Sequence, residues 1–277
     1  MAESLQSLLQ CREQLVVPGV YDPLSAKIAA QSGFEAIYMS GFAVAGTLLG
    51  QPDIGLVTAS EMTERARQIV DAADGVAVIA DGDNGYGNEK NVARLVQAYE
   101  SAGVQCIQLE DQVSPKRCGH MDGKEVISLE EATTKIAAAV SARKSGAFLV
   151  MARTDTRATH DLSEAIRRGH AFLEAGADIL FIEAPRSIDE MKTIRSSFSD
   201  TALVANMVED GKTPDLDALE LMELGYKIVL RPVSALLAVS QTLQSSYVSL
   251  LQRSRLDPNK GRLTFSAFNQ LVGLDDQ

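Results

Sequence analysis

Eight short apolar runs recur along the chain: LVVPGV (15–20), AIYMSG (36–41), VAVIADGD (76–83), CIQLED (106–111), FLVMARTD (148–155), ILFIEA (179–184), ALVANM (202–207) and KIVLRP (227–232). Between them lie stretches such as SEMTERARQIVDAA, NEKNVARLVQAYESAG and DLSEAIRRGHAFLEAGA. These repeat apolar residues at i and i+3 or i+4 and close near a glycine, the pattern of an amphipathic helix with a C-cap. Short buried strands alternating with such helices make parallel β-α units. Eight units over roughly 250 residues predict a closed (β/α)8 TIM-type barrel. The alternative, an open doubly wound sheet, carries a Gly-rich phosphate turn after its first strand. No G-x-G-x-x-G follows the first run here. The expected organisation is one α/β barrel domain over 1–277, with a helical C-terminal extension at about 232–277. In the opening MAESLQSLLQCREQL, Leu5, Leu8, Leu9 and Leu15 fall near helical spacing and predict an amphipathic first helix. That opening lacks the basic segment and apolar core of a secretory signal.

Composition narrows the partners. A formal net charge of −11 without any Lys/Arg run argues against nucleic acid, which needs a basic face to displace counterions. No uninterrupted apolar run approaches the ~20 residues of a membrane span. Cys11, Cys106 and Cys118 are an odd count in a chain of 277 residues and suggest no disulfide framework. The expectation is a cytoplasmic protein acting on a small molecule.

The chemistry gathers where the apolar runs end: Ser40-Gly41, Asp81 and Asp83, Glu110-Asp111, Arg153 and Asp155, Glu183, Asn206 and Arg231. Singly, such residues cap helices or start turns. In a barrel, all these ends meet at one face, where substrates bind. Asp81 and Asp83 share a direction because strand side chains repeat every second residue, and Glu110 ends the next strand. Crowded carboxylates repel one another unless protonated or neutralised by a cation. Oxygen ligands without a nearby His or Cys pair favour Mg2+ or Mn2+ over Zn2+.

The segment EDQVSPKRCGHMDGK (110–124) sets Cys118 among Lys116, Arg117 and His120. Cations beside a thiol favour its thiolate, which suits proton transfer as well as nucleophilic attack. Cys106, inside CIQLE, reads as core, and Cys11 belongs to the first helix. His160 and His170 have no partner at ligand spacing and read as structural or solvated.

PKRCGH, together with PGVYDPLSA, MSGFAVAGTLLGQPDIGL, DGDNGYGN, LEDQVSPKRCGHMDGK, ARTD, FIEAP and NMVEDGKTP, resembles the lyase branch of the isocitrate lyase/phosphoenolpyruvate mutase superfamily. The compact length is similar to its 2-methylisocitrate lyase, 2,3-dimethylmalate lyase and petal death protein groups. The resemblance implies a Mg2+-dependent carbon–carbon lyase. Its substrate would be a substituted malate or isocitrate-type 2-hydroxy acid, cleaved to pyruvate or glyoxylate and a carboxylic acid. It also implies a homotetramer whose barrels exchange their last helix, for which VSALLAVSQTLQSSYVSLLQ is the candidate.

On this resemblance Ser40, Gly41 and Phe42 hold the oxo-acid carboxylate. Asp53, Asp81, Asp83 and Glu110 surround Mg2+, and Glu110 also belongs to the catalytic set. Arg153 neutralises substrate charge, while Glu183 and Asn206 orient the substrate. Lys116, Arg117 and His120 belong to a mobile gating loop that carries Cys118, the catalytic thiol. Two alternatives stay open: an oxaloacetate hydrolase, then an oxaloacetate decarboxylase or phosphonate-forming mutase. Asn84-Gly85-Tyr86-Gly87 looks more like the mutase and decarboxylase branches, whereas Cys118 counts against them. A non-catalytic scaffold is opposed by the intact acidic and thiol sets. Arg231 is either a contact to a distal substrate carboxylate or half of an ion pair.

Overall fold

The computed structural model describes residues 3–119, 123–256 and 261–274. Eight strands form the barrel: β1 (Leu15–Val20), β2 (Ala36–Met39), β3 (Ala77–Asp81), β4 (Cys106–Glu110), β5 (Leu149–Thr154), β6 (Ile179–Ile182), β7 (Ala202–Asn206) and β8 (Ile228–Arg231). Every neighbouring pair is parallel, and β8 closes on β1. β2 to β6 are buried along their whole length, which is why they read as continuous apolar runs rather than alternating ones.

Strand side chains divide between two cores. Ile37, Val78, Ile107, Val150 and Leu180 point outward and meet Met62, Ile69, Val96 and Phe172 on the surrounding helices. Tyr38, Ile79, Cys106, Met151, Phe181 and Leu230 point inward and fill the barrel. The inner core is capped by the first helix, Leu5–Cys11, which inserts Leu5 and Leu8. The Leu5 N–H donates to Gln105 Oε1 (2.6 Å) and fixes that helix to the barrel floor. Leu15, counted both with this helix and in the first apolar run, opens β1, because Arg12 turns the chain into extended backbone.

The helices begin where the sequence supplies caps. Asp22 and Thr58 each form a reciprocal capping box, with Ser25 and Glu61, and Pro23 takes the first helical position. Past β8, the helix Ser234–Arg253 buries none of its residues, and Leu251 is 87% exposed. No described helix is long and apolar enough to cross a membrane. Cys106 is fully buried and Cys11 exposed, and none of the three cysteines is in a disulfide. His170 packs at a tilt against Phe198, and the His160 ring meets the Thr159 hydroxyl.

Candidate active site

The C-terminal ends of the strands surround a cavity of about 260 Å3. That is small beside the roughly 300–1,000 Å3 of typical ligand pockets, and suits a compact acid. Of the expected site residues, Ser40, Phe42, Asp53, Asp81, Glu110, Lys116, Arg117, Cys118, Arg153, Glu183 and Asn206 line it.

At the end of β2, Ser40 caps the helix Gly41–Leu49 by accepting from the Ala43 N–H. The Gly41 N–H donates to Asp81 Oδ2 (3.1 Å). A Cβ at Gly41 would come within 2.6 Å of that oxygen, so this approach requires glycine. Asp81 Oδ1 accepts from the Asp83 N–H and from Gln108 Nε2, both at 3.1 Å, while Tyr38 donates to Gln108 Oε1. Asp83 holds a left-handed backbone (φ 46°) and accepts from the Tyr86 hydroxyl at 2.7 Å. Tyr86 thereby gives the departure from the usual lyase pattern, Asn84-Gly85-Tyr86-Gly87, a structural use.

Lys116 does something other than flank the thiol. Its buried ammonium lies 2.7 Å from Asp53 Oδ1 and 2.6 Å from Asp83 Oδ1. Burial disfavours this charge, but Asp83, Glu110, Asp81 and Asp53 together hold its pKa well above the ordinary range. The expected grouping of Asp53, Asp81, Asp83 and Glu110 is therefore a shared wall rather than a closed cage. Among the described residues, no three His, Cys, Asp or Glu side chains converge as metal ligands. Two of the four are turned toward Lys116.

The remaining charge still fits a cation. Burial pushes Asp81 up to about 6, with Asp83 adding to the rise. Burial also lifts Glu110 well above the usual carboxylate range, against the pull of Arg153. Glu110 Oε1 is buried without a hydrogen-bond partner among the described residues. A wall of destabilised carboxylates with an unmatched oxygen suits a hard divalent ion.

Arg153, from β5, is the second organising cation. It forks onto Asp155 (2.9 and 3.0 Å), reaches Glu110 at 3.4 Å and Glu183 at 3.3 Å, and lies over the Phe181 ring. Asp155 is gripped from its other side by Lys124 at 2.9 Å. Burial alone would raise Asp155, but Arg153 and Lys124 outweigh it and hold the carboxyl below its usual range. Behind it, Asp111 accepts from the Asp155 N–H, the Thr154 hydroxyl and Arg168. Asn206 donates to Glu183 (3.1 Å).

Cys118 is half-buried over the cavity, its N–H bonded to the Asp53 carbonyl. Gln112 clamps the loop by accepting from the Arg117 N–H and donating to the Arg117 carbonyl, both at 2.9 Å. His120 lies outside the described residues. Arg231 is not brought to the cavity lining: it binds Asp215 Oδ1 (2.8 Å) and the Leu216 carbonyl (2.9 Å).

Sequence reasoning put Asp155 at the substrate face without a role there, and did not single out Lys124, Gln108 or Tyr38. Arg153 and Asp155 stand two apart, a same-face signal that was available. Lys124 and Gln108 carried no such mark.

A phosphoenolpyruvate phosphomutase family model matches residues 5–251. The chain is 46% identical to 2,3-dimethylmalate lyase of Eubacterium barkeri, over 99% of this chain and 94% of that one. It is 45% identical to probable 2-methylisocitrate lyase 1 of Corynebacterium glutamicum, over 83% and 75%. Among solved structures it is similar to 2,3-dimethylmalate lyase, with a TM-score of 0.93 and 35% identity over 98% of this chain and 91% of that one. Oxaloacetate acetylhydrolase bound to 3,3-difluorooxalacetate gives 0.94 and 33%, over 99% and 94%. Phosphonopyruvate hydrolase with oxalate and Mg2+ gives 0.87 and 29%, over 98% and 94%.

Proposed function

We propose that this chain, which belongs to the isocitrate lyase/phosphoenolpyruvate mutase family, is a divalent-metal-dependent carbon–carbon lyase of substituted malate or isocitrate-type 2-hydroxy acids. The observation that carries this reading is the presence of Cys118 and the carboxylate wall on one small cavity. Mg2+, or Mn2+ in its place, would be held by Asp53, Asp81, Asp83 and Glu110, some of them through water. Bound there, it supplies Lewis-acid polarisation of the substrate's hydroxyl and carboxylate.

The protein's own groups do the rest. The carboxylate next to the hydroxyl seats against the Ser40 hydroxyl and the N–H groups of Gly41 and Phe42, at the positive end of the helix Gly41–Leu49. Glu110, whose proton affinity burial raises, takes the hydroxyl proton. The C2–C3 bond then breaks, leaving a 2-oxo acid and a carbanion stabilised by its own carboxylate. Arg153 balances the negative charge, while Glu183 and Asn206 fix the orientation. Cys118 protonates the carbanion carbon, and the loop of Lys116, Arg117 and His120 excludes water meanwhile.

Assembly follows from the helix Ser234–Arg253, whose unburied Leu243, Tyr247 and Leu251 support exchange between paired subunits and a tetramer of two such pairs. Three cysteines without a disulfide among them fit the reducing cytoplasm. A second reading, hydrolysis of oxaloacetate to oxalate and acetate, is favoured by the likeness to oxaloacetate acetylhydrolase.

A substrate panel separates the two. 2,3-Dimethylmalate, 2-methylisocitrate, isocitrate and oxaloacetate are each incubated with Mg2+, and 2-oxo acid and oxalate are followed separately. The expected result is a 2-oxo acid from a substituted 2-hydroxy acid, abolished by EDTA and restored by Mg2+ or Mn2+. Oxalate from oxaloacetate, with no cleavage of the 2-hydroxy acids, would overturn the lyase assignment.

A further inference from the structure

Cys118 is held along the chain from both sides. On one side the buried Gln112 fixes Arg117 through its N–H and its carbonyl. On the other, the ammonium of Lys124 donates to the Gly119 carbonyl. Lys124 comes from the returning arm of the same segment, which the Gln112–Val126 bridge and the Val113 N–H on the Glu125 carbonyl tie to the outgoing arm. Its ammonium also lies 2.9 Å from Asp155 Oδ1, and the two side chains are 1% and 0% exposed. A lysine is seldom withdrawn from water this completely unless its charge is paired and its N–H donors are used. Neither Lys124 nor Asp155 is among the residues that line the cavity. Their place is behind it.

Gly119 is where the segment meets the charged side of the mouth. A Cβ there would collide with Arg153 Nη2 and stand 2.8 Å from Glu183 Oε2. Arg153 has little room to give, since it is buried and engaged by Asp155, Glu110 and Glu183. The close approach therefore needs glycine for its missing side chain. Gly119 is seated against Arg153 and Glu183 while Lys124 holds its carbonyl.

This inference rests on the reading of Cys118 as proton donor and deepens it. Peptide units are planar, so each residue keeps only two soft backbone dihedrals. With Arg117 fixed by Gln112 and Gly119 by Lys124, the backbone of Cys118 between them is confined. The thiol is left with rotation about χ1 among its staggered positions. Protonating a carbanion needs the donor within reach of one carbon atom. We propose that Lys124 is a positioning residue for the reaction: braced by Asp155, it pins Gly119 against Arg153 and Glu183 and so holds the Cys118 thiol over the cavity. Asp155 is shared by Lys124 and Arg153, so the brace belongs to the same chain of ion pairs that faces the substrate.

Three variants test this. Lys124→Met removes the ammonium, Lys124→Arg keeps a charge and a donor, and Gly119→Ala lifts the pinned point off Arg153 without changing Lys124. In Lys124→Met, Arg153 still forks onto Asp155, so that carboxylate is not stranded. On whichever acid of the panel the wild type cleaves, kcat should fall about 10–100-fold in Lys124→Met and Gly119→Ala, as a ~1 Å misplacement costs. KM should stay within about threefold, since no contact to bound substrate is lost. Lys124→Arg should recover most of the loss. A second readout needs no turnover: iodoacetamide labelling of Cys118, followed by mass spectrometry with and without oxalate and Mg2+, against the exposed Cys11 as internal reference. Each variant is its own control, so a change in the thiol's intrinsic reactivity cancels. Oxalate should slow labelling at least about tenfold in the wild type and Lys124→Arg, and less than about twofold in the other two, where the thiol is no longer held. Calorimetry should show oxalate binding in all four proteins. Full protection in folded Lys124→Met would overturn the inference, and so would an equal loss in Lys124→Arg. Loss of oxalate binding in Lys124→Met, or an unprotected wild-type thiol, would overturn it too. If Lys124→Met does not fold, Gly119→Ala decides by the same two readouts. Protection lost as expected, in an enzyme that cleaves none of the acids, would uphold the pin and remove the lyase reading.

Discussion

Around the mouth of the barrel, β3 to β5 end in charges that hold one another, whereas the cavity lining from β8 and from the segments that follow β7 and β8 is mostly apolar. On the first side, Lys116 bridges Asp53 and Asp83, and Arg153 is shared by Asp155, Glu110 and Glu183. On the second, the lining is Val208, Leu230, Pro232, Val233 and Leu237, interrupted by Asn206 and Glu209. The charged side cannot be changed one residue at a time, because each buried cation answers to two or three carboxylates. The apolar side chains can, because Val208, Leu230, Pro232, Val233 and Leu237 carry no charge to be stranded. Reaction chemistry is concentrated where alteration is most disruptive, and substrate choice where alteration is tolerated.

The hardest way to strain this contrast is to remove a cation from the charged side. Arg153→Met should destabilise the fold by about 3–5 kcal/mol, the usual cost of stranding buried carboxylates. Leu237→Ala, on the apolar side, should cost under about 1 kcal/mol, since Leu237 is 45% exposed. Urea denaturation of both variants measures the pair. Similar losses would mean that the two sides are not energetically distinct.

Cys118→Ser tests whether the loop shares in the chemistry of the charged side. Turnover should fall at least ~100-fold, within the range of a lost general acid, while fold and metal binding persist. Cys11→Ser and Cys106→Ser should stay active, the latter with some loss of stability from its buried position. Full activity in Cys118→Ser would take the thiol out of the mechanism and shift the weight to hydrolysis.

A gentler probe is pH. Asp81 rises from 3.8 to about 6 on folding, chiefly through burial and then through Asp83. Between those values the native state keeps a proton that the unfolded chain has released, so this group's contribution to stability falls as pH rises. Above about 6 the native carboxylate is ionised and its burial cost is fully expressed. A divalent cation offsets that cost only where the proton has left. The gain in Tm on adding Mg2+ should therefore be larger at pH 7.5 than at pH 5, by several degrees. An equal gain at both pH values would separate Asp81 from the metal.

Much of this arrangement was legible in the sequence, for a reason. A strand buried on both faces leaves an apolar run whatever its neighbours are, so all eight could be read before their pairing was known. Leu15 was claimed by both the first helix and the first strand, because an apolar residue at helical spacing looks the same once the helix has ended. Asp81 and Asp83 were legible together because strand geometry ties residues two apart. Lys116 was not, since its partner Asp53 is 63 residues away and nothing local announces the pairing. Arg231 was visible as an oddity, but the Asp215 that claims it follows β7, across a separate loop. Glu209 follows ALVANM as one acid among many, and only the barrel's closure sets it across from the others.

The first helix has a kinetic consequence. With Leu5 and Leu8 corking the barrel floor, the cavity has no rear exit, and a molecule that splits inside must leave as two pieces through the entrance it used. One fragment departs while the other is still seated. If the Cys118 loop closes over the substrate as proposed above, it opens at least once with the site half full, and the departure order becomes a property of the enzyme rather than of the fragments.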